Sequence, residues 1–184
     1  MLPSRPVKHR LALALVLFAV SLDGCGSREN GAEKSAQAAR ELREHLLKGT
    51  PAEFSVTPDG QVWGVLLEIG FPEDSATLVS LADGTASLYF SAGGGMTGGG
   101  EHPEVAHAAK EFVHAANEHL ARMKPAREYP LASDGQAVFY VLTTNGVVTA
   151  EADQTELGGI HALTPLFALG QDVLTELRKV SERD

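Results

Sequence analysis

The chain has 184 residues, with 24 acidic and 15 basic side chains and a formal charge of −9. An acidic domain is repelled by nucleic acid and by anionic lipid headgroups, so nucleic-acid binding is excluded and a hold on a membrane needs something other than a basic face. The single cysteine leaves no internal disulfide to staple the fold, and the length suits one domain able to bury its own core.

Arg5, Lys8 and Arg10 precede an apolar run from Leu11 to Leu22. That run has the length of a signal-peptide core and falls short of the ~20 residues of a membrane-spanning helix. Residues 1–24 are read as an export signal and set apart from the fold. Three basic residues and one acidic residue leave with them, which moves the formal charge from −9 to about −11.

Leu22-Asp23-Gly24-Cys25 closes the apolar run and resembles the lipobox of bacterial lipoproteins. Asp23 stands where that family has a small or aliphatic residue. The resemblance implies that Cys25 becomes the first residue of the mature chain and carries acyl groups, holding the protein to a membrane of the bacterial cell envelope on its periplasmic side. Gly26, by the same analogy, permits sorting to the outer membrane. Acyl chains contribute ~0.8 kcal/mol per buried CH₂, so several together make a lasting anchor. The residues leave two alternatives open: cleavage to a soluble secreted protein with Cys25 as a lone thiol, and an uncleaved signal-anchor.

Gly26 to Lys34 is small and polar and reads, with Cys25, as a flexible tether over residues 25–34. Ser35 is the expected N-cap of a first helix reaching Lys48, with Ala39, Leu42, Leu46 and Leu47 at helical spacing and Gly49 and Pro51 as stop signals. A short strand is expected over Ala52 to Val56, then a turn at Thr57-Pro58-Asp59-Gly60. Strands follow over Gln61 to Phe71, Ala76 to Leu81 and Thr85 to Ser91. They are joined at Pro72-Glu73-Asp74 and at Asp83-Gly84, and Trp63 is expected in the core. A second helix runs from Pro103 to about Met123. Ala137 to Thr143 and Val147 to Ala152 flank Thr144-Asn145-Gly146, a hairpin signal. A loop through Gly158 and Gly159 leads to a last helix from Thr164 or Pro165 to Val180, with Thr164 as cap.

This order predicts a single α+β domain over residues 35–184: an antiparallel sheet of about five strands packed with three helices. The order resembles the profilin and roadblock type of domain. That resemblance is one of topology, and topology alone carries no function.

Two features bear on chemistry. The loop Ser91 to Gly100 contains the spacing G-x-G-x-x-G as Gly93, Gly95 and Gly98. Such a loop lets backbone N–H groups approach a phosphate at a helix start. Yet no Gly-Lys-Ser or Gly-Lys-Thr follows, and the flanking strands read as antiparallel, whereas a dinucleotide site needs a parallel unit. A crossing loop or a close backbone approach explains the glycines more simply, and Ser91 and Thr97 lack a catalytic partner.

The second feature is the polar face of the second helix, with Glu104, His107, Glu111, His114 and Glu118 three or four residues apart. Glu111-x-x-His114 is similar to the Glu-x-x-His pair of di-iron bundles, and His107, Glu111, His114 and Glu118 have the donor types that suit Zn²⁺. This face lies opposite the buried stripe Val105, Ala109, Phe112, Ala116, Leu120 and Met123. A metal would need ligands from elsewhere, and His102 and His161 are the nearest candidates in loops.

The expectation is therefore a non-enzymatic, lipid-anchored envelope protein that meets a protein partner and needs no cofactor. A small-ligand or metal-binding module built on the glycine loop or the histidine helix is the alternative, and an envelope hydrolase the third.

Overall fold

A computed structural model describes residues 27–183. The export signal over 1–24 and the lipidation of Cys25 fall outside these residues. Helix α1 (Ser27–Lys48) opens the described chain. It is followed by β1 (Val62–Gly70), β2 (Ser75–Leu81), β3 (Ala86–Phe90) and β4 (Gly95–Met96). Next come α2 (Pro103–His119), β5 (Lys124–Pro125), β6 (Gln136–Thr143), β7 (Gly146–Asp153), α3 (Gln154–Leu157) and α4 (Thr164–Ser181).

The strands form one antiparallel sheet in the order β4-β3-β2-β1-β6-β7-β5. The α+β class therefore stands. The sheet has seven strands where five were expected, because two-residue strands cap both edges. Among the described residues four α-helices stand where three were expected, α3 being a single turn.

Three local differences have physical causes. Residues 27–34 are helical rather than a loose tether, and Ser35 lies inside α1, where its hydroxyl accepts the Gly94 N–H at 3.0 Å instead of capping the helix. The segment Ala52–Val56 is a compact turn, not a strand: the Val56 N–H bonds the Pro51 carbonyl at 2.9 Å and Ser55 takes a left-handed conformation. Phe54 is thereby folded back to stack on Trp63 at 5.6 Å. Thr164 begins α4 rather than capping it, its hydroxyl bridging the His161 N–H and the Gly159 carbonyl.

Hydrophobic strands buried on both faces need cover on both, and β1 at the centre is buried throughout. Val62 pairs with Thr143 and Gly64 with Leu142, leaving Trp63 as a bulge. The bulge shifts the alternation by one residue. On one face, Val65, Leu67, Phe139 and Val141 meet Phe112 and Val113 of α2 and Leu166, Val173 and Leu177 of α4. On the other, Trp63, Leu66, Val79, Tyr140 and Leu142 meet Leu46 and Leu47 of α1, Val56 and Ala132. The stretch 126–135, between β5 and β6, crosses that second face as a strap, with Ala126, Tyr129 and Ala132 packed on it.

Candidate functional site

The glycine-rich loop is shaped by close approaches. Gly93, Gly94, Gly95 and Gly98 all have positive φ, the region glycine enters without steric cost. A Cβ on Gly93 would stand 2.4 Å from the Ala32 carbonyl oxygen, and one on Gly95 would stand 2.1 Å from that of Leu88. Gly95 pairs with Tyr89 and closes the β3 edge, while Gly98 is the left-handed residue before the 3₁₀ turn Gly99–Glu101. The loop therefore serves packing against α1 and β3. An open groove of about 790 Å³ lies beside it, lined by Gln37 and Arg40 of α1 and by Ser91 and Ala92, but none of Gly93, Gly95 and Gly98 lines it. Asp74 orders this corner by accepting bonds from Ser91 Oγ and from the Ala92 N–H.

The polar face of α2 is exposed at His107, Glu111, His114 and Glu118. Among the described residues no three His, Cys, Asp or Glu side chains come together to hold a metal ion. His114 has a structural partner instead: its Nδ1 donates to Asp59 Oδ2 at 2.7 Å. That hydrogen bond, then the Asp59 charge, raise the imidazole above its ordinary pKa, with Glu111 and Glu118 adding to the effect. Asn117 completes the contact by accepting the Gln61 N–H and donating to the Asp59 carbonyl. This face thus pins the Asp59-Gly60 turn that feeds β1. His161 Nδ1 is taken up by the Leu163 N–H.

A third constellation lies under the strap. Glu68, on β1, is fully buried on the α1 side of the sheet. Its Oε1 accepts from Arg43 Nε at 2.5 Å. Arg43 Nη2 reaches the carbonyl oxygens of Tyr129 at 2.9 Å and Pro130 at 3.3 Å, and its guanidinium carbon lies 5.6 Å from the Tyr140 ring centroid. Tyr140 Oη donates to the Pro130 carbonyl at 2.6 Å. Burial pushes the Glu68 carboxyl above its ordinary pKa, and Arg43 pulls it back part of the way. Burial, then the nearby Glu68 charge, push the Tyr140 phenol up to about 12. Arg43 therefore ties α1, β1 and the strap together. The sequence reading missed this group, although a lone carboxylate inside the apolar run Val62 to Ile69 was a usable signal: both faces of such a strand are buried, and a buried charge needs a partner.

Comparison with protein-family models, with curated proteins and with solved structures returned no match.

Proposed function

We propose that this protein is an exported, lipid-anchored component of a bacterial envelope whose α+β domain works as a non-enzymatic interaction module. The observation that carries this reading is the way α1 joins the fold. The helix begins two residues after Cys25 and is seated by the close approach of Gly93 to Ala32 and by the bond from the Gly94 N–H to Ser35 Oγ. An acyl anchor at Cys25 would thus be coupled to the sheet through a helix rather than through a flexible linker, presenting the domain to partners in a restricted orientation. The ionisable pairs serve architecture: Arg43 with Glu68 fastens the strap, and His114 with Asp59 fastens a turn.

Intact mass and membrane partitioning of the mature protein test the reading, with Cys25→Ser beside the wild type. A chain starting at Cys25 with acyl mass added, and release or failed processing of the variant, would support it. An unmodified soluble chain would remove the anchor and leave a diffusible secreted domain.

A further inference from the structure

Two large hydrophobic side chains stand exposed among the described residues, Leu131 at 42% and Ile160 completely. Both lie beside the same end of the sheet, the one marked by Gly70. Leu131 is on the strap just before Ser133, whose carbonyl fills the space that a Cβ on Gly70 would need. Ile160 follows α3, whose first residue, Gln154, donates from its side-chain amide to the Gly70 carbonyl at 2.8 Å. The strap packs on the α1 face, whereas Leu157 and Leu163 on either side of Ile160 bury in the α2 and α4 core. The two exposed side chains therefore flank the sheet on opposite sides.

An isolated apolar residue on a surface needs no explanation, but Ile160 is held out by an ordered loop. Leu157 and Leu163 pin its ends. Between them the Gly159 N–H bonds the Glu156 carbonyl at 2.9 Å and the His161 N–H bonds Thr164 Oγ1 at 3.2 Å, while that hydroxyl donates to the Gly159 carbonyl. In Gly158-Gly159-Ile160-His161-Ala162 the isoleucine is the one bulky apolar tip.

The start of α1 lies at this end too. Gly70 pairs with Ser75, the Ser91 N–H bonds the Ser75 carbonyl at 2.9 Å, and Gly93 lies against Ala32. From Ala32 the helix runs past Glu68, held by Arg43, to His45, which packs on Phe54 and so toward Trp63 at the start of β1. Its first turn thus projects beyond the Gly70 end, with Ser27 about 7.5 Å from Ala32 along the helix. The segments that form this end, residues 71–74, 91–94, 133–135 and 153–163, contain no Lys or Arg. The turns at the other end, Asp59-Gly60, Asp83-Gly84 and Thr144-Asn145, are polar.

We propose that the Gly70 end of the domain rests on the bilayer, with Ile160 and Leu131 entering the interfacial layer of zwitterionic lipid on either side of the sheet. Glu73, Asp134 and Glu156 are exposed around them, which disfavours anionic headgroups and leaves the contact to apolar side chains. This rests on the anchor reading above and adds the surface that the anchor brings to the membrane.

The acylated full chain, reconstituted in phosphatidylcholine vesicles that carry a nitroxide-labelled lipid, tests it. A fluorophore is attached through Ile160→Cys, Leu131→Cys or Asn145→Cys, acylation leaving Cys25 unreactive. Quenching by the nitroxide is expected at 160 and 131 and not at 145, in a turn at the other end. Ile160→Asp in the Leu131→Cys chain is expected to reduce the quenching at 131. Mixing in phosphatidylglycerol is expected to leave the quenching equal or weaker. Equal quenching at all three sites, none at 160, or unchanged quenching at 131 beside Ile160→Asp would overturn the contact, and so would stronger quenching on the anionic vesicles. A probe at 160 shielded from iodide yet untouched by the lipid quencher would overturn it in favour of a protein partner. Intact mass of the same samples separates the two readings: any of these failures with Cys25 acylated removes the contact and keeps the anchor, whereas an unmodified Cys25 removes both.

Discussion

The carbonyl oxygen of Ala32 occupies the space that a side chain on Gly93 would need, 2.4 Å from where its Cβ would sit. Gly93 also has φ of +105°, while its neighbour Gly94 has φ of +88° and nothing within 4 Å of a built Cβ. The two glycines separate clash from strain. Gly94→Ala should cost about 1–2 kcal/mol for the left-handed backbone alone. Gly93→Ala should cost more and should loosen the start of α1, seen as faster amide exchange around Ala32 to Ala36. Gly31, inside α1 with open space around it, gives the opposite sign: Gly31→Ala should add up to about 1 kcal/mol through helix propensity. Thermal melts of the three variants check the order. A Gly93→Ala protein as stable as Gly94→Ala would show that the Ala32 contact is not a constraint.

Arg43 and Glu68 predict a stability loss that depends on pH. Burial raises the Glu68 carboxyl above 4.5 and Arg43 opposes that rise. A group whose folded pKa is raised contributes stability below its unfolded pKa and loses it as pH climbs through the folded value. Without Arg43 burial is opposed only by the backbone hydrogen bond from Ala132, so the folded pKa rises further and the ionised form becomes costlier. Arg43→Ala should therefore be destabilised by about 3–5 kcal/mol at neutral pH, the scale for an unpaired buried charge. The deficit should shrink as pH falls toward 4.5 and the carboxyl becomes neutral. Urea unfolding at both pH values measures it, and a deficit that stays constant would mean that Glu68 is not the group responsible.

Much of the sheet was legible because turns and alternation are local. Asp83-Gly84 and Asn145-Gly146 sit at the turns they announced, with Gly84 and Gly146 at positive φ. The edge strands were not legible. Gly95–Met96 and Lys124–Pro125 are strands only because Leu88–Tyr89 and Val148–Thr149 lie beside them, and no side-chain pattern of their own marks them. Ala52 to Val56 misled for the same reason in reverse: its composition suits a strand, but Phe54 is drawn back onto Trp63. The spacing of Glu111 and His114 was visible, yet the partner that His114 meets, Asp59, lies 55 residues away in sequence. Nothing in the sequence around Arg43 marks it out, and only the fold shows that it turns inward to Glu68.

Tyr140 should titrate apart from an ordinary phenol. Burial and the Glu68 charge push it up to about 12, so the neutral hydroxyl that donates to Pro130 persists into strong alkali. Its contribution to stability is complete below the unfolded pKa, about 10, and is lost as pH rises through about 12. Spectrophotometric titration of the folded protein should show a late tyrosinate step that disappears in Tyr140→Phe. Glu68→Gln should move that step downward by removing one of the two leading causes. Tyr140→Phe itself should cost about 1 kcal/mol for the lost bond. A late step that survives in Tyr140→Phe would assign it to another residue.

The His114–Asp59 pair obeys the same linkage rule, with the same sign, around the histidine range. Asp59 raises the His114 imidazole above 6.5, so the folded state holds a proton more tightly than the unfolded chain does. The stabilisation is fully present below 6.5 and is lost as pH rises through the higher folded value. Both side chains are substantially exposed, so salt should weaken the effect. NMR titration should place His114 above an ordinary histidine, and Asp59→Asn should return it toward 6.5 while leaving the Asn117 bonds to the Gln61 and Asp59 backbone in place. Because those bonds remain, Asp59→Asn should destabilise the protein slightly at pH below 6.5 and scarcely at alkaline pH. His114→Ala should show the same dependence. An unshifted histidine, or an Asp59→Asn deficit equal at both pH extremes, would mean that Asn117 alone holds the turn and that the imidazole pair contributes nothing to it.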